Sequence, residues 1–324
     1  MIFGHKKNLK IFSRYIEVDK FPHGVLFSGT DKIGKRTIAL EIAKYLQGNH
    51  KEKFYDFSQK ECFCQTCNLI REKKFAGVTE IKKEEAQISI QKLREIRKNL
   101  FLSSPYPYKI VIIDNAEALS REATGALLKI LEEPRGKTIF FLLTQRPNIL
   151  LKTILSRIEV FKFLPMPRGE IIAFLESIEV PKQESSYVAQ VIDFSIGKPG
   201  LAKELILDKN KIIYYNKILE TIRSLKKYSI LEKFLLAEKL EKEGKTEDFL
   251  FLAGLWFQDI ISSKNNFSFF VFDSKKEEAK KDCENFSEKD LKEITKKIEK
   301  TKNYLLFSNV SRILAIENLL LQFR

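Results

Sequence analysis

The first half of the chain alternates short apolar runs with longer segments that repeat apolar residues at helical spacing. The apolar runs predict buried strands, and they are GVLFSG (24–29), YKIVIID (108–114) and KTIFFLLT (137–144). A further segment, RIEVFKFLP (157–165), alternates apolar and polar residues and then ends at a proline. The longer segments predict amphipathic helices at residues 35–46, 88–101 and 120–134, with Ser89 and Ser120 as N-caps and Pro134 as a stop signal. Nearly continuous apolar strands separated by helices predict a parallel sheet that is covered on both faces.

The segment after the first predicted strand has the spacing of a phosphate-binding loop. Gly29 is followed by four residues and then by Gly34-Lys35, and in such loops backbone N–H groups and the lysine bind phosphate oxygens. The next residue is normally a hydroxyl that holds Mg²⁺, but here it is Arg36, which only donates hydrogen bonds. Thr37 comes one position later, which on a helix is a rotation of about 100°. We expect binding of ATP and Mg²⁺ to be weak or absent, and a turn that binds no nucleotide remains an alternative.

Two further strands end in polar residues that bear on the same chemistry. Asp114 has the position of the acidic residue that orients hydrated Mg²⁺. ATP-hydrolysing proteins with a loop of this type place a glutamate at the next position, where it polarises the attacking water. Here that residue is Asn115, and an amide is a poor general base. Thr144 ends another strand, where a polar side chain can sense a γ-phosphate. Arg36 and Asn115 are two separate defects that both predict a loss of hydrolysis.

The pair Ser156-Arg157 follows a predicted helix. An arginine at a subunit edge can stabilise charge on a neighbour's transferring phosphate. The alternative for Arg157 is an ordinary surface salt bridge, which the spacing by itself favours.

Three of the four cysteines fall within six positions, in ECFCQTCNL (61–69). Cys64 and Cys67 form a C-x-x-C pair that suits tetrahedral zinc, and Cys62 is a third candidate ligand. His50 is the best candidate for the fourth position, although the sequence does not identify it clearly. The alternative is three free thiols in a loop that holds no metal.

The charge of the chain is concentrated in its first half. Residues 1–165 contain 30 Lys and Arg against 18 Asp and Glu, and the whole chain has a formal net charge of +14. This excess suits a polyanion such as DNA, while a lysine-rich but inert surface is the alternative. No signal-peptide pattern and no run of 18 apolar residues is present in the sequence, so we expect a cytoplasmic protein without a membrane span.

The texture of the sequence changes after PMP (165–167), beyond which nearly every segment predicts helix. We therefore expect an α/β domain over residues 1–165, with a cysteine-containing insertion at about 48–70. A small helical domain is expected over 166–208, and an all-helical C-terminal domain over 209–324.

Taken in order, these motifs resemble the delta-prime subunits of bacterial DNA polymerase III clamp loaders, within the AAA+ group. The resemblance is carried by FSGTDKIGKRTIALEIAKYL, the cysteines after that helix, KIVIIDNAEALSREATGALLKILEEP, TIFFLLTQRPNILLKTILSRIEVF and GKPGLAKEL (197–205). It covers residues 1–205, and the rest matches in length and helical character.

The resemblance implies a largely non-hydrolysing member of a five-subunit ring that loads the sliding clamp onto primed DNA during replication. Its partners would be gamma/tau-type and delta-type subunits, the clamp and, through the complex, DNA. Arg157 would act on ATP held by the adjacent motor subunit, the cysteines would form the family's zinc module, and the C-terminal collar would hold the ring together. The lid arginine of motor subunits would fall near Gly200 or Leu201, and neither residue is charged.

The sequence departs from the family pattern in three places. The family's Ser-Arg-Cys is Ser-Arg-Ile, with Ile158. One spacer residue and the first cysteine of the zinc site are missing, and FAGV (75–78) replaces the usual His-Pro-Asp.

Two other functions remain open on the sequence alone. One is an ATP-hydrolysing clamp-loader motor of the gamma/tau type, or another AAA+ ATPase. The other is a zinc-dependent nucleic-acid-binding module on a decayed nucleotide fold. ATPase turnover by the chain alone would distinguish the first of these from the non-hydrolysing subunit, and salt-sensitive DNA binding would favour the second.

Overall fold

The computed structural model describes residues 2–48, 62–81, 87–101, 105–178, 183–307 and 311–323. Its strands are β1 (Gly24–Ser28), β2 (Val78–Ile81), β3 (Lys109–Ile113), β4 (Thr138–Thr144) and β5 (Glu159–Lys162). They form one sheet in the order β2-β3-β4-β1-β5, and every neighbouring pair is parallel. The parallel sheet predicted from the apolar runs is confirmed.

Helices precede, separate and follow these strands. Those up to residue 178 are α1 (Lys6–Glu17), α2 (Lys35–Gln47), α3 (Gln65–Arg71), α4 (Ile90–Phe101), α5 (Arg121–Glu132), α6 (Lys152–Leu155) and α7 (Arg168–Ser177). The later ones are α8 (Ser185–Ser195), α9 (Pro199–Leu207), α10 (Lys209–Ser224), α11 (Ile230–Lys242), α12 (Thr246–Lys264), α13 (Lys276–Cys283), α14 (Glu288–Phe307) and α15 (Arg312–Leu320). The cap predicted at Ser120 is confirmed, because its side chain accepts the Ala123 N–H at 3.0 Å.

The sheet is buried on both faces because successive residues of each strand point to opposite sides. On one face, Val25 and Phe27 of β1 pack with α1 and α2. On the other face, Leu26 packs with α4, α5 and α6. This double burial explains why the three central strands, β1, β3 and β4, are almost continuously apolar.

Strand β2 was not predicted from the sequence. Its residues, Val-Thr-Glu-Ile, include two polar side chains in four positions. An edge strand pairs on one side only, here with β3, and so needs fewer apolar residues than a central strand. One of its polar residues, Glu80, becomes important in the site described below.

The chain forms two compact units. The first comprises residues 1–178 with 197–201, and the second comprises 179–196 with 202–324. The second unit is helical, and α12 contributes the large, fully buried side chains of Phe249, Trp256 and Phe257 to its core. The division into three domains remains a prediction. No described helix is long and apolar enough to cross a membrane.

Candidate functional site

The phosphate-type loop connects β1 to α2, and its two glycines are required for different reasons. A Cβ at Gly29 would lie 2.4 Å from the backbone oxygen of Phe163, so the close approach of two chain segments requires glycine there. Gly34 has a φ of 100°, in the region that favours glycine, and a Cβ there would meet no atom within 4 Å. The first glycine therefore serves packing, and the second serves the backbone turn into the helix.

Lys35 begins α2 and folds back over the loop. Lys35 is buried, with 8% of its surface exposed, and its Nζ donates to the carbonyl oxygens of Gly29 at 2.5 Å and Thr30 at 2.8 Å. Burial lowers the pKa of Lys35, and the nearby carboxylates, Asp31 and Asp114 foremost, oppose that shift. The ammonium group thus contacts the carbonyls of its own loop.

Arg36 reaches from the first turn of α2 to strand β2. Its Nε and Nη2 both donate to the Glu80 carboxylate, the Nη2 to Oε2 at 2.8 Å. This hydrogen bonding raises the pKa of Arg36. The side chain of Thr37 is exposed. The position that would hold a metal-binding hydroxyl is therefore occupied by a bidentate ion pair.

Asp114 lies directly after β3, at the carboxyl edge of the sheet. Burial raises its pKa, while the N–H of Asn115, 3.1 Å from Asp114 Oδ1, and the charge of Arg36 lower it. Asn115 has a left-handed backbone conformation with a φ of 56°, which asparagine tolerates better than most residues. Glu117, in the short turn that follows, accepts the N–H of Gln145 at 3.2 Å.

Thr144 ends β4 beside the loop, as its register with Ser28 requires. Its carbonyl oxygen accepts the Gly29 N–H at 3.1 Å, and its Oγ1 accepts the Arg146 N–H at 2.9 Å. The hydroxyl of Thr144 thus closes the turn after its own strand.

The structure adds a cation to this site that sequence reasoning missed. Gly200 approaches the loop as backbone, with its N–H donated to the Lys32 oxygen at 2.9 Å. Two residues earlier, Lys198 lies within electrostatic reach of Asp31 and Lys35. Burial lowers the pKa of Lys198. The only signal in the sequence was a lysine in GKPG, next to the positions considered for a lid arginine.

Arg157 follows α6 and is bound to its own chain. Its Nη2 forms an ion pair with Glu132 at 2.8 Å, and its Nη1 donates to the Thr153 carbonyl oxygen at 2.8 Å and to Ser156 Oγ at 3.2 Å. The side chains of Arg157 and Glu132 are 34% and 48% exposed. Both alternatives from the sequence remain compatible with this geometry, because an exposed pair of this kind is easily broken.

Cys62, Cys64 and Cys67, here called the cysteine cluster, come together before and within α3. Their sulfur atoms all lie within 4.8 Å of one another, close enough for one tetrahedral zinc ion. Burial opposes ionisation of Cys64, but hydrogen bonds from Cys67 and Cys62 lower its pKa overall. In the part of the chain that the structure describes, no fourth His, Cys, Asp or Glu joins the cluster. His50 lies outside the described residues.

A family model described as "DNA polymerase III, delta subunit" matches residues 4–167, half of the chain. The chain belongs to this family of AAA+ clamp-loader proteins. The match contains the phosphate-type loop, the cysteine cluster and Arg157.

Curated relatives of this clamp-loader protein include subunits named gamma and tau. The chain is 33% identical over 180 residues to DNA polymerase III subunit gamma of Buchnera aphidicola, covering 55% of this chain and 48% of that protein. It is 31% identical over 178 residues to subunit tau of Bacillus subtilis, covering 55% and 31%. The chain thus spans half or less of the length of these relatives.

Among solved structures, a gamma subunit-related protein of Thermotoga maritima covers 98% of both chains, with 20% identity and a TM-score of 0.41. The RuvB branch-migration motor of the same organism covers 68% of this chain and 76% of its own, with 17% identity and a TM-score of 0.45.

Chemically, the loop of this clamp-loader protein offers cations and backbone N–H groups. Lys35, Arg36 and Lys198 supply positive charge, which suits a phosphate. No hydroxyl follows Lys35, and the residue after Asp114 is an amide. The residues therefore do not fit the Mg²⁺ that hydrolysis in this fold requires.

Proposed function

We propose that this chain is the delta-prime type of clamp-loader subunit, a largely non-hydrolysing member that supplies an arginine to a neighbouring ATPase subunit. The observation that carries the proposal is the bidentate Arg36–Glu80 ion pair at the position of the metal-holding hydroxyl. A motor subunit needs a ligand for Mg²⁺ at that position, and a guanidinium group has no acceptor atom.

The residues after β3 support the same proposal. A hydrolysing site needs a group that takes a proton from the attacking water, and the Asn115 amide cannot do so. Asp114 is half-buried with a raised pKa, and its Oδ1 accepts the N–H of Asn115. Two independent losses in one site favour a subunit whose own loop has no catalytic task.

Arg157 is the residue that we propose to act in trans. Its ion pair with Glu132 is exposed, and such pairs contribute about 1 kcal/mol or less to stability. A trans-acting arginine raises the rate by about 10³–10⁵, which corresponds to roughly 4–7 kcal/mol of transition-state stabilisation. Release of the guanidinium from Glu132 costs little compared with that gain. Ser156 then serves to position Arg157, because its Oγ accepts a hydrogen bond from the guanidinium at 3.2 Å.

The partners follow from this role. We propose a hetero-oligomer with gamma/tau-type and delta-type subunits, in which the helices of residues 209–324 form the collar. Through that complex the subunit would act on the sliding clamp and on primed DNA, and the excess of Lys and Arg in residues 1–165 suits a polyanion.

The cysteine cluster is proposed to bind zinc through its three sulfur atoms. The sulfur spacing fits, since Zn–S bonds of about 2.3 Å place tetrahedral ligands roughly 3.8 Å apart. Zinc there would have a structural role, because it would join the segment before α3 to the helix itself.

The second candidate function is an ATP-hydrolysing motor of the gamma/tau type, which the 33% identity to a gamma subunit favours. A steady-state ATPase assay on the purified chain distinguishes the two. Turnover of roughly 1 s⁻¹ or faster by the chain alone supports the motor. Turnover at background level supports the non-hydrolysing subunit.

The test of the trans-acting arginine uses complexes reassembled from this chain with gamma/tau-type and delta-type subunits. We expect Arg157→Ala to lower DNA-stimulated ATPase and clamp loading, because one neighbouring ATP site loses about 10³-fold or more of its turnover. Glu132→Gln is the matched control, since it removes the same ion pair but keeps the arginine. We expect Glu132→Gln to retain wild-type ATPase.

The Arg157→Ala and Glu132→Gln variants should differ little from the wild type in stability. Gel filtration should recover the complexes that contain either variant intact. The trans-acting role is wrong if Arg157→Ala complexes hydrolyse ATP at the wild-type rate. It is also wrong if Glu132→Gln lowers the rate as much, because the ion pair would then be the important feature.

A further inference from the structure

Two carboxylates lie on the same face of the sheet, below the start of α2. Glu80 of β2 is paired with Ile112 of β3, and Asp114 is two residues after Ile112. Directly paired residues of parallel strands, and residues two apart on one strand, point to the same face. Ile112 packs in the core that contains α2, so Glu80 and Asp114 both face that helix.

The side chain of Arg36 extends from the first turn of α2 towards these carboxylates. Its guanidinium binds both oxygens of Glu80, whose side chain is only 9% exposed, while that of Arg36 is 36% exposed. Asp114 is within electrostatic reach, since the charge of Arg36 lowers its pKa against the larger effect of burial. The planar fork of arginine makes this a directed contact and not a diffuse attraction.

The position of this cation is unfavourable unless it is compensated. The first turn of a helix carries the positive end of the helix dipole, and acidic residues are preferred there. Helix α2 has no acidic residue in its first turn and begins with Lys35-Arg36. Glu80 of β2 and Asp114, the residue directly after β3, provide the missing negative charge.

We propose that the Arg36 guanidinium, anchored by Glu80, is a built-in cation that stands in place of a divalent metal ion beside Asp114 and excludes such an ion from the loop. Glu80 is the positioning residue, because it fixes both the direction and the place of the guanidinium. The two carboxylates are then the ligands of a cation site that the chain fills with its own side chain.

The proposal is tested with Mn²⁺ as a probe, using the full chain without nucleotide or partners. Free Mn²⁺ is measured by electron paramagnetic resonance for the wild type, Arg36→Gln and Arg36→Lys. Gln is neutral and of similar length, whereas Lys keeps the charge. We expect Arg36→Gln to bind one additional Mn²⁺ at least about tenfold more tightly than the wild type, the minimum that Coulomb's law gives for removing a charge a few ångströms from a divalent ion in water.

Two controls locate the effect. Arg36→Lys should behave as the wild type, and adding Glu80→Gln to Arg36→Gln should abolish the gain. Equal Mn²⁺ affinity in Arg36→Gln and the wild type overturns the proposal. A gain that survives Glu80→Gln also overturns it, because the ion would then lie elsewhere.

A measurement on the wild type does not depend on the folding of any variant. Mn²⁺ broadens amide resonances close to it, so the Asp114 and Asn115 signals should remain sharp at millimolar Mn²⁺. Their selective broadening overturns the proposal. Because these experiments use neither ATP nor other subunits, their outcome is separate from that of the reassembly experiment.

Discussion

Gly29 is the residue whose replacement most directly tests the packing of the loop against the sheet. Its N–H is donated to Thr144, and the residue before it, Ser28, accepts the N–H of Phe163 at 2.7 Å. A Cβ at Gly29 would lie 2.4 Å from the Phe163 backbone oxygen and 3.0 Å from its Cβ. Since backbone held by hydrogen bonds cannot turn aside, we expect Gly29→Ala to cost about 3 kcal/mol, the upper part of the range for overpacking.

The assay is thermal and denaturant unfolding of the purified chain. For a unit of this size, about 3 kcal/mol lowers the Tm by roughly 6–12 °C. Gly125→Ala is the matched control, because Gly125 is an exposed helical residue whose added Cβ meets no atom within 4 Å. We expect that variant to gain about 0.5–1 kcal/mol.

The two roles of Gly29 lead to different results. If the glycine served phosphate approach alone, Gly29→Ala would unfold like the wild type. A change below about 0.5 kcal/mol, the usual range for surface substitutions, would therefore refute the packing explanation.

Two further predictions concern a half-buried lysine of α14 and the cysteine cluster. Burial lowers the pKa of Lys302 in the folded chain below its ordinary value of 10.5. Between the lowered pKa and 10.5 the unfolded chain binds more protons than the folded chain, so the free energy of unfolding rises with pH. We expect Lys302→Met to be more stable than the wild type at pH 7, and we expect this difference in stability to shrink towards pH 10.5. Urea unfolding midpoints of both proteins measure it, and an equal difference at both pH values contradicts the prediction. Metal analysis after purification without chelators should give about one zinc per chain, much less in Cys64→Ser and no change in Cys283→Ser, which alters a buried cysteine of α13. Zinc retained in full by Cys64→Ser would exclude the cysteine cluster as the site.

The fold was predictable where the local pattern and the tertiary environment agree. β1, β3 and β4 are apolar at almost every position because both faces of the sheet are covered, so their sequences predict burial directly. β2 was missed because an edge strand can include Thr and Glu. The role of its acidic residue, Glu80, cannot be predicted from the sequence because it depends on the contact with Arg36.

The candidate site was predictable in part for the same reason. The spacing of Gly29, Gly34 and Lys35 is local, and it identified the loop. The contact of Arg36 with Glu80 joins residues 44 positions apart, and the approach of Lys198 to Lys35 joins residues still further apart. No pattern within a short window reports contacts of that kind.

The sequence by itself determined the three apolar central strands β1, β3 and β4, the helices α2, α4 and α5, the loop at the end of β1, and the presence of Arg36 and Asn115 where a hydroxyl and a carboxylate are expected. These are properties of neighbouring residues, and hydrophobic spacing and residue chemistry are sufficient to read them. Tertiary structure alone decided where the Arg36 charge goes, why Gly29 admits no side chain, and that Arg157 is held by Glu132. Each of these depends on segments that come together only when the sheet forms, since parallel pairing brings distant strand ends to one edge.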